Sequence, residues 1–390
     1  MGFDTHHGIR YLLNRELTEI YITHALRNFA HSMVGIFVPL YLLQTVLNFH
    51  QVFLFYFIAF FMEFLLFIFG ARFSLRIGIK HSILLSMPIL ITFFMLLYNV
   101  EFLITILPIW SLLLILPFIY ANAMFLYWFP FHVDFAKFTN SENEGKQVGL
   151  LQAITTMFSV LGPLTGGLII SLYSFNILFI IVSSIFLLAT IPLFFSKDIY
   201  SKNERFTLTI FKSMDLRSKT IYVAEGARQV SALIIWPIML YIIAIQTSSM
   251  GLLYSITNLL LAMFSVFVGK LSDNVNKIHL MRVGAFAHGL SLTLRSLATS
   301  VLAIFSLQSL GAISFPLLNI PYSSIVYMKA RKHGVASFIV LRQSLFNLGR
   351  LLQMLLALLL IIITGVPQIS LIIPILVGSI CAIIMSFITD

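Results

Sequence analysis

Residues 50–80 read HQVFLFYFIAFFMEFLLFIFGARFSLRIGIK. The first part, His50–Phe69, is an apolar run interrupted in its interior by a single acid, Glu63. It is as long as a helix needs to be to cross the hydrocarbon of a bilayer, about 20 residues. The second part opens on Gly70 and carries Arg72, Arg76 and Lys80 within a short loop. An apolar span that ends in a short basic loop marks a membrane helix and the side on which it emerges.

The rest of the chain repeats this pattern. Of its 390 residues, 59% are hydrophobic and 10% charged, against roughly a quarter charged in soluble domains. A soluble fold of this size cannot hide so much apolar surface, so lipid must solvate it. The same window predicts twelve spans: Thr18–Gln44, His50–Phe69, His81–Tyr98, Phe102–Phe129, Gln147–Tyr173, Asn176–Phe195, Thr220–Ile245, Ser248–Val268, Leu280–Ala298, Val301–Tyr327, Val335–Thr364 and Gln368–Ile388. Helices are the expected spanning structure, because the segments are far too long for barrel strands.

Loop charge orients them. The turns Leu47–Gln51, Asn99–Glu101, Tyr173–Asn176, Gln246–Ser248, Thr299–Ser300 and Thr364–Gln368 hold no Lys or Arg. The opposite side carries Arg10 and Arg15, then Arg72, Arg76 and Lys80, then Lys137 and Lys146. It continues with the loop from Lys197 to Lys219, then Lys270, Lys277 and Arg282, and ends with Lys329, Arg331 and Lys332. The positive side is expected to be cytoplasmic, with both termini there and an even number of spans. The excess of 24 Lys and Arg over 14 Asp and Glu is therefore a topology signal and not a nucleic-acid footprint. The expected location is the plasma (inner) membrane, multi-pass, with no cleaved signal peptide.

The longest polar stretch, Ser196–Lys219, divides the chain into halves, 1–195 and 220–390, joined by a cytoplasmic loop at 196–219. The halves resemble each other. Span 1 reads Ile20-Tyr21-Ile22-Thr23-His24-Ala25-Leu26-Arg27, and span 7 reads Ile221-Tyr222-Val223-Ala224-Glu225-Gly226-Ala227-Arg228. Arginine falls in the same register, and a proline follows in both, Pro39 and Pro237. The segment after span 8, Gly269–Lys277, again opens on glycine and closes on a basic residue, with Asp273 between. This is the pattern of a parallel duplication about an axis along the membrane normal.

On these residues the chain resembles the major facilitator superfamily. Gly70, Arg76, Gly78 and Lys80 fit its signature after the second helix, with Ser74 where the family carries Asp; the second copy keeps Gly269 and Asp273. Gly162-Pro163-Leu164-Thr165-Gly166-Gly167 looks like the family's Gly-Pro-x-x-Gly-Gly motif, frequent in exporters and antiporters. Its proline removes a backbone donor and its glycines allow close helix approach. The Arg-x-x-x-Gly motif of drug exporters is missing from span 4, where the chain reads Tyr120-Ala121-Asn122-Ala123-Met124. The resemblance implies an all-α membrane protein of two pseudo-symmetric six-helix bundles. Helices 1, 4, 7 and 10 would line a central cavity, with Gly70, Arg76, Lys80, Gly269 and Asp273 at a gate.

Five arginines, Arg27, Arg228, Arg295, Arg342 and Arg350, fall inside spans. Each needs a cavity or a partner, since a charge in hydrocarbon costs several kcal/mol. By helix rise, Arg27 and Arg228 sit about 6 Å to the basic side of the midplane; Arg342 is low enough to snorkel. Helical spacing gathers polar stripes: His24, Arg27, Asn28 and His31; Glu225 and Arg228; Asn258 and its neighbours on span 8; Gln343, Asn347, Arg350 and Gln353. Two roles are open for Arg27 and Arg228. They bind an anionic substrate, as symmetric arginines do in the organophosphate and phosphate antiporters they resemble, since guanidinium suits carboxylate and phosphate. Or they pair with Glu63 and Glu225.

The expected substrate-binding set is thus Arg27, His31, Arg228, Asn258, Asn347 and Arg350. Glu63, Glu225 and Asp134 join the proton-coupling or gating set, and Gly162, Pro163, Gly166 and Gly167 serve packing. No phosphate-binding P-loop, catalytic cluster or metal-ligand cluster is present, and the lone Cys381 excludes an internal disulfide and a cysteine metal site. His6-His7 is an incidental pair. No cofactor, no metal and no enzymatic activity are expected. The expected function is a secondary active transporter moving a small solute, an organic or phosphorylated anion, by alternating access as a monomer, with protons or another ion as coupling partner. The alternatives are a proton-coupled exporter of amphipathic compounds and a membrane sensor or enzyme on a carrier scaffold.

Overall fold

The computed structural model describes residues 15–138, 144–195, 207, 209–243, 245–298 and 300–388. His6-His7, Arg10, Lys197 and most of the central loop lie outside the described residues. The described chain forms twelve long helical segments. They are α1 (Arg15–Val34, continued by Val38–Thr45), α2 (Phe49–Phe69), α3 (Ile79–Tyr98), α4 (Ile109–Phe138), α5 (Glu144–Ser159, continued by Gly162–Leu172) and α6 (Phe175–Leu188). The second set is α7 (Leu216–Val230, continued through Ser231–Ile235 to Trp236–Ile242), α8 (Thr247–Asn274), α9 (Lys277–Ser296), α10 (Val301–His333), α11 (Val335–Thr364) and α12 (Pro367–Met385). Eleven of these are long and apolar enough to cross a membrane. The other, α9, has 20 residues, carries Lys277, Arg282 and Arg295, and packs against α10 and α12.

The turns are built by the polar residues that interrupt the apolar runs. Asn48 and Gln51 form a reciprocal cap on α2, each side chain bonded to the other's backbone N–H at 3.0 Å. Ser174, Asn276 and Ser300 cap α6, α9 and α10. Asp215 caps α7 through the backbone N–H of Ser218 at 2.8 Å. Partial burial works against its ionisation, but the bonds from Ser218 and the charge of Lys329 outweigh that and hold the carboxyl below its usual range. Gly334, at φ 90°, separates α10 from α11, and Gly365, at φ 63°, ends α11. Residues with a Cβ rarely adopt that backbone.

Several boundaries differ from the sequence reading, each for a local reason. Span 4 starts later and ends later than Phe102–Phe129. Val100–Ile106 is a separate short helix, and Leu107 is extended because it precedes Pro108. Gly269, Lys270 and Asp273 lie on the last turns of α8 and not in a turn, and Lys329–Lys332 lie on α10. Charge does not end a helix; the chain leaves the apolar zone while still coiled, and the first residue off α8 is the extended Val275. Span 5 is broken around Val160 and Leu161, just ahead of Pro163. Span 7 widens into a π turn at Ser231–Ile235 ahead of Pro237, which relieves the clash of the proline ring with the preceding turn.

The helices assemble as two six-helix bundles. In the first, α4 packs on α2 and α3, and α6 on α1 and α3; in the second, α9 packs on α10 and α12, and α7 on α11 and α12. The abundant phenylalanines make the first core aromatic: Phe67 meets Phe125 edge-on, Phe125 stacks on Phe129, and Phe94 stacks on both Phe179 and Phe186. The seam between bundles is formed by α2 against α11 and by α5 against α8.

Small residues allow the backbones to touch. A Cβ on Gly166 would lie 1.9 Å from the Met33 carbonyl of α1. On α7 and α11 the fit is reciprocal: a Cβ on Gly226 would lie 1.9 Å from the Phe346 carbonyl, and one on Gly349 1.9 Å from the Val223 carbonyl. Because the obstacle is backbone in both cases, the helices must separate to admit a side chain. Gly226→Val and Gly349→Val are each expected to destabilise the protein by about 1–3 kcal/mol or more. Thermal unfolding in detergent reads this, with Leu352→Ala on the lipid-exposed face of α11 as the near-neutral comparison.

Candidate functional site

The centre of the polar interior is one face of α11. Arg342, Phe346 and Arg350 follow at intervals of four, so they stack along the helix. The Phe346 ring lies between the two guanidinium groups, 5.1 Å from that of Arg342 and 5.4 Å from that of Arg350. Arg342 forms a buried ion pair with Glu225 of α7 and bonds Gln343 at 2.9 Å. The second oxygen of Glu225 accepts the Tyr322 hydroxyl of α10 at 2.5 Å. Arg350 reaches across the seam and donates to Glu63 of α2 at 2.6 Å and to Asn347 Oδ1 at 2.8 Å. Its guanidinium lies 3.7 Å from the ring of Phe60, one turn before Glu63. Glu63 is buried, and its other oxygen, Oε1, has no hydrogen-bond partner.

This pairing corrects two sequence expectations. Arg342 does not snorkel; it is buried and holds Glu225. Glu63 and Glu225 do not pair with Arg27 and Arg228. Glu225 and Arg228 are three apart on α7, but Glu225 faces α10 and α11 whereas the Arg228 guanidinium turns to α9 and α10.

Arg27 and Arg228 consequently stand without a carboxylate among the described residues. Arg27, 1% exposed, donates to the Met124 sulfur at 3.6 Å and lies 3.5 Å over the ring of Tyr127, with Trp128 at 5.5 Å. Arg228, 5% exposed, lies 4.9 Å from the Phe315 ring and 3.4 Å from His288 Nε2. In both, the Nε donor is buried with no acceptor. The repeat thus extends beyond sequence register, for each arginine stacks on an aromatic ring of the fourth helix of its own bundle. Beside Arg27, His24 bonds Tyr127 and receives the Asn28 amide at 2.9 Å. One turn on, His31 borders a cavity of about 30 Å³ with Phe55, Tyr56, Phe93, Phe94 and Tyr120.

The other sequence-selected residues lie partly along the seam and partly within the bundles. The break ahead of Pro163 leaves backbone groups of α5 free, and α8 of the opposite bundle satisfies them. Ser255 Oγ accepts the Leu164 N–H at 3.0 Å, and Asn258 donates to the Ser159 carbonyl at 3.2 Å. Asn258 is therefore engaged at the break, and Asn347 is engaged with Arg350 and the Gln343 carbonyl. Gly162 and Gly166 press on α1, and Gly167 on α8 at Thr247. At the basic end Asp273 accepts the Lys146 N–H in the first turn of α5 at 2.8 Å, a favourable place for a carboxylate. Gly149 and Gly269 are in close approach beside it. Gly70 lets the Phe125 ring approach, Ser74 bonds Ser82 at 2.8 Å, Arg76 is exposed, and Lys80 and Asp134 are buried. His132 meets the Tyr327 hydroxyl at 2.9 Å there. The bundles thus touch at the basic end, and again at the uncharged end through Gly167 and Gly251.

Sequence reading missed Tyr120, Tyr127, Tyr322, Phe315 and Ser255 as site residues. All but Ser255 are aromatic side chains among many, with no motif to single them out. Ser255 was visible as one stripe of α8, three residues from Asn258, but its partner is a backbone group exposed by a break in another helix.

No protein-family profile matches the chain. Uncharacterized protein YqgE of Bacillus subtilis (strain 168) is 25% identical over 264 residues, 62% of this chain; the chain spans 60% of that protein's length. Solved structures match over nearly the whole length. The human organic anion transporter MFSD10 superposes with a TM-score of 0.68 at 11% identity, covering 95% of this chain and 99% of MFSD10. The major facilitator transporter FucP in its outward conformation gives 0.67 at 13%, covering 97% and 99%. A variant of the E. coli fucose:proton symporter FucP gives 0.64 at 12%, covering 97% and 98%. The chain has the major facilitator fold.

The ion pairs make an asymmetric prediction. Arg342→Met leaves Glu225 buried and uncompensated, which costs about 3–5 kcal/mol. The double change Glu225→Gln with Arg342→Met removes the orphaned charge and is expected to recover most of that loss. Unfolding temperatures of the single and double variants, measured side by side, check it.

Proposed function

We propose that this protein is a secondary carrier that moves a small anion across a membrane by alternating access. The observation that carries the reading is that Arg27 and Arg228, related by the repeat, are buried without a carboxylate partner among the described residues, while Glu63 and Glu225 are taken by Arg350 and Arg342. A fixed buried guanidinium with no counter-charge is a costly arrangement unless a ligand supplies the missing charge. The fold favours the same reading, because two bundles that meet along one seam can rock about a site between them. The neighbours MFSD10, described as an organic anion transporter, and FucP, described as a fucose:proton symporter, support the reading in that proteins of this fold carry anions and couple to protons.

In this reading Arg27 and Arg228 are the anion-binding groups, one in each bundle, with His31 one turn from Arg27. The Glu63–Arg350 pair joins the bundles and exchanges its partners as they move; the free oxygen of Glu63 is where a proton or a substrate group would be taken up. Asp273 and the contacts of His132 and Tyr327 form the closure at the basic end. The Lys and Arg of the loops support a reading in which that end, with both termini, faces the cytoplasm of a carrier in the plasma membrane. The units are residues 1–195 and 220–390, linked by 196–219.

The test is uptake of a panel of labelled small anions into proteoliposomes, with and without a pH gradient. Arg27→Gln and Arg228→Gln, made separately, are each expected to lower uptake by about tenfold or more, the scale of one lost charge-assisted hydrogen bond. Anion uptake that survives both changes overturns the reading.

A further inference from the structure

The surroundings of Arg27 are unlike those a phosphorylated ligand requires. We infer that the substrate anion is a monovalent organic acid with an apolar, ring-sized body, and not a phosphate ester. This rests on the proposed reading that Arg27 receives an anion.

The first observation is what the guanidinium touches. Its contacts are the Met124 thioether and the aromatic side chains of Tyr127 and Trp128. A phosphate dianion carries about −1.5 to −2 charges and three strong acceptor oxygens. Moved out of water, it needs a donor for each of them and balancing cations. A carboxylate carries half the charge on two oxygens and is matched by one planar guanidinium. The Arg27 group, buried with its Nε free, offers that match.

The second observation is the space one helical turn away. His31 is four residues from Arg27 on α1, and Tyr120 is four residues from Met124 on α4, so both lie about 6 Å further along the bundle. Between them is the 30 Å³ cavity, bordered also by Phe55, Tyr56, Phe93 and Phe94. Five of these six side chains are uncharged phenylalanine or tyrosine rings. They offer faces and edges to an apolar body, while His31 and the two tyrosine hydroxyls supply a few polar contacts. The cavity lies within the first bundle and admits little more than a water as it stands, so it takes its occupant only when the helices that line it move apart. A charged head at Arg27 and a flat body against Tyr120, Phe93 and Phe94 use both features at once. A compact, fully hydrated anion uses only the first and forfeits its hydration to the second.

The experiment uses the full-length protein purified in detergent, with thermal unfolding read by tryptophan fluorescence. The probes are 1-naphthoate, the uncharged 1-naphthalenemethanol and glycerol 3-phosphate at equal concentration, followed by uptake of naphthoate and glycerol 3-phosphate into proteoliposomes. The expected result is that naphthoate alone raises the unfolding temperature and is taken up. Arg27→Gln is expected to weaken its binding by about tenfold or more, and Val38→Phe, which fills the cavity without touching Arg27, to weaken it as well. If Arg27→Gln does not fold, the Val38→Phe comparison carries the test. Stabilisation and uptake of glycerol 3-phosphate without naphthoate overturns the organic-acid inference and leaves the anion carrier standing. Equal stabilisation by naphthoate and naphthalenemethanol, unmoved by Arg27→Gln, overturns the anion reading itself. Silence of both anions in binding and in uptake counts against both.

Discussion

A buried arginine in an apolar medium must be answered by something, and the way each of five arginines is answered organises this molecule. Hydrocarbon supplies no water to hydrate a guanidinium, so partners must come from neighbouring helices. Arg342 and Arg350 take carboxylates, Arg295 takes the carbonyls of Leu307 and Gln308, and Arg27 and Arg228 take aromatic faces. These choices fix which helices must be adjacent. Pairing Arg350 with Glu63 ties α11 to α2 across the seam, and pairing Arg342 with Glu225 and Tyr322 ties α11 to α7 and α10. Close contact between α7 and α11 then requires glycines at 226 and 349. The polar contacts and the small residues are two halves of one solution.

The backbone follows the same accounting. Pro163 and Pro237 open gaps in helical hydrogen bonding where no water is at hand. Polar side chains gather at both places, and in α5 they meet the freed backbone groups from another helix. Ser255 and Asn258 of α8 serve the break in α5, and at the π turn of α7 the Ser231 hydroxyl donates to the Pro374 carbonyl at 2.9 Å while Gln353 of α11 bonds both. A break satisfied across the seam couples the two bundles more specifically than apolar packing, because moving one bundle removes the partner of a backbone group in the other. The Gly-Pro-x-x-Gly-Gly segment therefore does more than bend a helix: its bend creates the groups by which α5 recognises α8.

Much of the fold is legible in the sequence. Apolar runs of bilayer length, basic loops on one side only and the repeat at Arg27 and Arg228 are local or one-dimensional signals, set by solvation of short segments. Where reading erred, as in starting the fourth span at Phe102 or ending the eighth at Val268, a proline or the persistence of a helix beyond the apolar zone was the cause. The site was legible as a set of residues but not as a set of partners. Helical spacing placed Glu225 beside Arg228, yet a side chain three residues away on the same helix still points some 60° off, enough for the two to face different helices.

The sequence alone determined that this chain is built to lie in lipid, where its apolar spans run and which charges fall inside them, because transfer of a segment from water to hydrocarbon depends only on that segment's composition. The tertiary structure alone decided which charges neutralise each other. Pair energies in a low-dielectric interior depend on separation and direction, and those are set by how twelve helices pack. That decision left Arg350 and Arg342 holding Glu63 and Glu225, and Arg27 and Arg228 with aromatic rings where a carboxylate would otherwise stand.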